Sequence, residues 1–319
     1  PYYLVFPKGD PITSKSYLVM NTANTGSSND FEVCKSKAYS RLRSSYASEF
    51  NLPYILPVFP RPIVGYNDNE SGYNYLYTHA FDRDLALWKE EIKIKPQVVD
   101  NMEKAGLDIN SFDDFDEQVT YMIEDAYKYL KDTPFEVDEP KVIFTGYSAS
   151  GTFSDRFTML QPDYVKMVIS GATMDDMMLP IDTYEGKNLI FPIGTYDYKE
   201  ITGRDFDLEK INKIPKLLYM GAEDTNNTVP FNDCYGDIER NIIIDLWGES
   251  VRPRADELRE LYGNSGGKGI FILDKGIGHG SSSEMRNYAK YFIKENIDSE
   301  VPVYPVPNDP EQLDYKIYE

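Results

Sequence analysis

Two short segments of this chain carry residue types that can do chemistry together: Gly146-Tyr147-Ser148-Ala149-Ser150 and Gly276-Ile277-Gly278-His279-Gly280. A serine hydroxyl is inert until a neighbouring base takes its proton. Of the two histidines in the chain, His279 comes straight after the run Lys268–Gly276, the last predicted strand. Ser148 leaves another such run, Lys141–Gly146, and enters a predicted helix. A nucleophile on so tight a strand-to-helix turn needs small neighbours; Gly146 and Ser150 meet that need, and Gly151 adds room. There the Ser148 side chain stands above the sheet with the positive end of the next helix beneath it. The Ala149 N–H is placed to donate to an oxyanion.

An imidazole base needs a carboxylate to orient it. The strand before the last one runs Pro215–Gly221, and Asp224 follows it in a loop at the same edge. Its rivals are weaker: Glu223 points to the opposite side, Asp233 lies further into the next segment, and Asp274 is on the strand too close to His279. The reading is a nucleophile Ser148, an acid Asp224 and a base His279.

These groups must be positioned by a sheet, because reactive groups in open parallel sheets sit beyond the carboxyl ends of the strands. Predicted strands alternate with helices along the whole chain. Strands are read at Tyr2–Pro7, Ser16–Met20, Pro53–Pro60, Lys141–Gly146, Tyr164–Gly171, Pro215–Gly221 and Lys268–Gly276. One amphipathic helix is read from Phe31 to Phe50 with Asn29 and Glu32 at its start. Another is read after Ser111, with Asp114 as its partner, and further helical regions at Ser148–Leu160, about Asp237–Tyr262 and Ser281–Asn296. This alternation predicts an α/β fold, a doubly wound and mostly parallel sheet. A single domain spans 1–298, with irregular insertions at about 61–110 and 172–213, and 299–319 is an extended tail.

Composition excludes several classes. With a formal net charge of −20, the chain would be repelled by nucleic acid and anionic membranes. The two cysteines, Cys34 and Cys234, are too few and too far apart for a disulfide framework or a metal site. No apolar run reaches membrane-spanning length. The chain opens on a strand; a trimmed leader would imply a secreted or envelope protein and its absence a cytoplasmic one, so compartment is open. Gly263–Gly269 is a turn, since it lacks the Lys-Ser/Thr ending of a phosphate loop. Ser150 reads as a packing residue at the helix start and Ser154 as a helical surface residue. His79 reads as a structural histidine bonded to Asp82 or Asp84, with a substrate contact as the sharper alternative; Tyr147, beside the nucleophile, is a second substrate-contact candidate. The methionines and tyrosines of 172–200 read as core or lid packing that would suit an apolar acyl or aromatic group.

Together, Gly-Tyr-Ser-Ala-Ser, Gly-Ala-Glu-Asp with Val-Pro behind it, and Gly-Ile-Gly-His-Gly resemble the local patterns of the α/β-hydrolase superfamily. The esterase, polyhydroxybutyrate-depolymerase-like and dienelactone-hydrolase-like branches are nearest, over nearly the whole chain in strand order. The order Ser148, Asp224, His279 is the one that fold uses. The resemblance implies a sheet of the α/β-hydrolase type with insertions over its active-site edge. It also implies hydrolysis of small or polymeric carboxylic esters through an acyl-serine, with no cofactor or metal. One departure stands out. Family members often carry His-Gly in the loop giving the second oxyanion donor, whereas here it reads Asn21–Gly26, so the backbone N–H of Asn24 or Thr25 takes that place. A peptidase of the same fold and a binding protein on a hydrolase scaffold are the alternatives.

Overall fold

The central strands are apolar runs that a period of two divides between two layers of helix. The computed structural model describes residues 1–24, 30–43, 45–65, 74–88, 96–104, 106–137, 139–231 and 234–319. In chain order the strands are β1 (Tyr2–Val5), β2 (Leu18–Met20), β3 (Tyr54–Pro57), a small hairpin β4 (Ile63–Gly65) and β5 (Asn74–Tyr75), β6 (Val142–Tyr147), β7 (Val165–Gly171), a second hairpin β8 (Thr183–Tyr184) and β9 (Lys187–Asn188), then β10 (Lys216–Gly221), β11 (Gly269–Asp274) and β12 (Leu313–Tyr318). The helices are α1 (Phe31–Tyr39), α2 (Ser45–Phe50), α3 (Arg83–Ala86), α4 (Pro96–Lys104), α5 (Phe115–Leu130), α6 (Ala149–Leu160), α7 (Tyr198–Thr202), α8 (Leu208–Ile211), α9 (Asp237–Trp247), α10 (Val251–Asn264) and α11 (Ser283–Asn296).

Among the described residues the main sheet has eight strands in the order β1-β3-β2-β6-β7-β10-β11-β12. β1 and β12, at the two edges, pair antiparallel with their neighbours; the pairings between them are parallel. The sheet is therefore mixed but mostly parallel, with helices on both faces. One face takes Val19, Ile143, Ile169, Leu217, Tyr219, Ile270 and Ile272, packed with Cys34 and Ala38 of α1, Phe50 of α2 and Met285, Ala289 and Phe292 of α11. Their strand neighbours turn the other way. Leu18, Met20, Phe144 and Val168 meet Val119, Ile123 and Ala126 of α5 and Phe153 and Phe157 of α6. Leu218, Met220, Phe271 and Leu273 meet Ile243 of α9 and Leu258 and Tyr262 of α10. Burying one such side chain contributes roughly 1.5–3 kcal/mol. Phe59, Phe115 and Phe144 all lie within ring contact of Phe153, so aromatic packing fixes the bed of α6. A buried ion pair at 2.8 Å, Lys216 Nζ to Asp155 Oδ1, ties α6 to β10.

Several elements differ from the sequence reading. The helix expected over Phe31–Phe50 is two helices separated by a turn at Ser40–Arg41. Asp30, not Asn29, caps the first: its Oδ1 accepts from the Glu32 and Val33 N–H groups at 2.8 and 3.2 Å, while Asn29 lies outside the described residues. Ser111 does not cap α5. It sits in a 3-10 turn that Asp108 caps, and α5 starts after Asp114, whose backbone is left-handed. The helical stretch from Asp237 breaks at Gly248, which has φ +75°. The segment after Ile297 ends in β12, which pairs with β11 from Asp274↔Leu313 to Gly269↔Tyr318, so its last residues belong to the sheet. In the 61–110 segment, Leu76, Phe81, Leu85, Trp88, Val98 and Met102 enter the core beside α5. Met174, Met177 and Met178 are likewise buried in core clusters instead of lining a lid.

Candidate active site

β6 hands over to α6 at Ser148, the N-cap, with φ 57° and ψ −135°. A side chain at that conformation carries about 1–3 kcal/mol of strain, sustained only if the surroundings over-determine it. They do so here. The Ser148 N–H donates to Gly171 O at the end of β7 at 2.9 Å, and the Ser148 carbonyl accepts from Gly151 and Thr152 N–H at 2.7 and 2.9 Å. The close approach explains the small residues. A Cβ at Gly146 would lie 2.1 Å from Ser150 O, and one at Gly151 would lie 2.6 Å from Gly171 O. Ala149 is the first residue of α6, so its N–H has no carbonyl a turn earlier in the helix and is free to serve a ligand.

The Ser150 hydroxyl folds back on the turn, accepting from Tyr147 N–H and donating to Tyr147 O, both at 2.9 Å. Asn24, in the loop after β2, spans the same turn with both ends of its carboxamide. Its Nδ2 donates to Tyr147 O and its Oδ1 accepts from Ser150 N–H, each at 2.7 Å. The backbone of Asn24 is held in turn by Arg41, whose Nη2 donates to Asn24 O at 3.1 Å. The sequence pointed to Asn24 for its backbone; the side-chain brace was not legible there. Thr25 lies outside the described residues.

Asp224 and His279 come together. His279 Nδ1 is 2.8 Å from Asp224 Oδ2, and the other carboxylate oxygen accepts from Asn226 N–H at 2.8 Å. A carboxylate only accepts, so Nδ1 carries the proton and the Nε2 lone pair is left to act as a base. Asn226 Nδ2 lies 3.5 Å from that Nε2. The two loops run side by side: Ala222 N–H donates to Asp274 O and Glu223 N–H to Ile277 O. Gly221 permits this, since a Cβ there would sit 2.0 Å from Gly278 O and 2.3 Å from Ile277 O. The bond to Asp224 is the chief reason that the His279 pKa is raised above its ordinary value, with partial burial opposing it.

Tyr147 joins this pair to the serine turn. Its ring meets the His279 ring edge-on at 5.3 Å between centroids, and its hydroxyl donates to Gly280 O at 2.9 Å. Burial, then the nearby Asp224 and Asp274 carboxylates, raise its pKa and keep the phenol neutral. Among the described residues no hydrogen bond joins the Ser148 hydroxyl to His279, so the link between their segments runs through Tyr147.

The rival residues do other work. Asp274 accepts from Ser282 N–H at 2.6 Å and Gln312 Nε2 at 2.8 Å, fixing the approach to α11 and β12; Glu223 is exposed and Asp233 lies outside the described residues. Among the described residues no bond is seen from His79 to Asp82 or Asp84, either of which the sequence offered. Asp82 instead accepts from Tyr77 and Leu85 N–H, capping α3, and the buried His79 Nδ1 has no partner. Burial first, then the charge of Arg61, hold the His79 pKa down at about 3. Ser154 is no surface residue: it is fully buried, 2.6 Å from Ser170 Oγ, because α6 is covered all round. Among the described residues no cluster of three or more His, Cys, Asp or Glu could hold a metal, and no helix is long and apolar enough to cross a membrane.

No family model and no curated protein matches the chain. Among solved structures it is similar to LpqC, a poly(3-hydroxybutyrate) depolymerase from Bordetella parapertussis, at 15% identity over 87% of this chain and 79% of that one, with a TM-score of 0.48. It is also similar to the Bacillus cereus carboxylesterase (10% identity, 92% and 93% covered, TM-score 0.39) and to Arabidopsis thaliana SOBER1 (14% identity, 89% and 100% covered, TM-score 0.43). The fold is of the α/β-hydrolase type: a mostly parallel sheet, wrapped on both faces, with a strained serine at the turn from β6 into α6.

Proposed function

We propose that this protein is a serine hydrolase of carboxylic esters. The observation that carries the reading is the buried Asp224 carboxylate on His279 Nδ1, joined through Tyr147 to the turn where Ser148 is held at positive φ with Gly146 and Ser150 two positions to either side. Nε2 of His279 takes the proton of Ser148 as its Oγ attacks the ester carbonyl. The negative charge that forms on the carbonyl oxygen is met by the Ala149 N–H and by an N–H of the loop at 22–25. Each such donor is typically worth about 3 kcal/mol in the transition state. The imidazolium, stabilised by Asp224, returns its proton to the departing alkoxide and leaves an acyl-serine. Water then attacks the acyl group with His279 again as base, and the acid leaves. Tyr147, in ring contact with His279, is the side chain that meets substrate in this reading, with the buried, neutral His79 as the second candidate.

The test uses a fluorophosphonate probe and a short-chain nitrophenyl ester. The expected result is covalent labelling at Ser148, with Ser148→Ala abolishing both labelling and turnover while the protein stays folded. Near-full turnover by Ser148→Ala would sink the nucleophile. No labelling and no turnover by the unaltered protein would favour a binding protein on a hydrolase scaffold. Cleavage of peptide amides in preference to esters would favour a peptidase.

A further inference from the structure

Arg254 lies in the first turn of α10 and is fully buried. Its guanidinium reaches three separate segments. Nε donates to Asp175 O at 2.8 Å and Nη2 to Asp175 Oδ2 at 2.7 Å, in the loop after β7. The same Nη2 donates to Asn227 Oδ1 at 2.9 Å. Nη1 donates to Gly248 O at 3.1 Å, at the junction between α9 and α10. Asn227 closes the circuit by donating its own Nδ2 to Glu249 O.

Asn227 stands three residues after Asp224 and directly follows Asn226, whose N–H holds the free oxygen of the Asp224 carboxylate. The loop after β7 follows Gly171, the last strand residue, whose carbonyl accepts the Ser148 N–H. One side chain thus connects the loop bearing the acid to the loop supporting the nucleophile. A buried ion pair is weak evidence for stability, because desolvation offsets most of its attraction. A planar fork of fixed donors is well suited to setting geometry, and lysine cannot reproduce it.

We propose that Arg254, acting through Asn227, is a positioning residue that holds the acid loop so that the Asp224 carboxylate meets His279 Nδ1. This deepens the hydrolase reading and, for its kinetic part, rests on it. Misplacing a catalytic group by about 1 Å can cost on the order of 100-fold in rate.

The histidines allow a test that does not depend on activity. The chain has two of them; burial and Arg61 hold the His79 pKa down at about 3, while the bond to Asp224 raises that of His279, so the two titrations are distinct. Asp224, Asp175 and the Tyr147 phenol are the ionisable groups acting on or touching it. Asn227→Ala removes the tether and leaves the Arg254–Asp175 pair in place. The expected result by NMR titration is a His279 pKa that falls toward the ordinary histidine value, with the melting temperature little changed. Ester turnover should fall about 10- to 100-fold in kcat, with KM within about twofold. Asn227→Asp keeps an acceptor for Arg254 and should recover most of kcat, whereas Arg254→Lys should behave like Asn227→Ala. An Asn227→Ala protein with unchanged His279 titration and unchanged kcat, differing only in melting temperature, overturns the clamp. A shifted titration in a protein whose unaltered form never labels at Ser148 supports the clamp and sinks the hydrolase reading instead.

Discussion

The two histidines sit in opposite electrostatic settings. His279 shares a hydrogen bond with a buried carboxylate that raises its pKa, whereas burial and Arg61 keep His79 neutral. The sign of the pH effect follows. A base must be unprotonated, so kcat/KM should rise with pH through a midpoint above histidine's usual value of about 6.5. The same raised pKa stabilises the folded state at pH below that value, and this contribution is lost as pH rises through the folded pKa. Asp224→Asn removes the main cause. Its acid limb should move to lower pH while its plateau rate drops by about 10⁴-fold through loss of the productive tautomer. An acid limb unmoved in Asp224→Asn would exclude the carboxylate as the orienting group. The pairing of Asp224 with His279 was legible in sequence because both follow strands at the same edge. Asn24 and Arg254 were not, since a carboxamide in a loop or an arginine in the charged stretch Val251–Leu261 gains its partners only through tertiary packing.

At the level of elements, the site depends on backbones approaching where only glycine fits. Gly221 ends β10 against the loop that carries His279. Gly221→Ala forces a Cβ onto carbonyl oxygens and should push that loop away from Asp224. The expected outcome is a folded protein of reduced melting temperature with at least about a 100-fold loss in kcat/KM, the scale of a displaced catalytic group. Retention of more than half the activity would show that the loops adjust without consequence. Strand positions were readable because runs such as Val142–Phe144 and Ile270–Leu273 are apolar on both faces. Helix boundaries were less so. A turn at Ser40–Arg41 and a left-handed Gly248 interrupt patterns whose apolar spacing continues across them. β12 was hidden by proline-rich flanks and by an alternation of Leu313, Tyr315 and Ile317 with polar residues that suits an edge strand.

The whole molecule adds a long-range field. With a net charge of −20, approach of anionic substrates is disfavoured. Raising ionic strength from about 0.01 to 0.1 M shortens the screening length from about 30 to 10 Å. kcat/KM for an ester bearing a free carboxylate should rise several-fold over that range, with a neutral ester of equal size unchanged. Equal salt responses for the two would rule out steering by net charge. Buried carboxylates add a second global effect. Burial and the neighbouring Asp175 push Asp176 up to about 7. A raised folded pKa stabilises at low pH, and that contribution declines as pH rises from about 4, the unfolded value, through 7. Asp176→Asn should therefore flatten the fall in melting temperature across that window; an unchanged slope would locate the coupled proton elsewhere. The architecture as a whole was legible because alternation of strand and helix constrains topology strongly, whereas side-chain networks across layers leave no local trace.

The backbone at position 148 has a practical corollary. With φ 57° and ψ −135°, that position suits a residue lacking any Cβ. Glycine there forfeits about 0.5–1 kcal/mol in chain entropy but releases a larger conformational tension of about 1–3 kcal/mol. An inert Ser148→Gly protein should thus outlast both the native and the Ser148→Ala forms on heating. It would be the natural decoy for trapping an unreacted ligand.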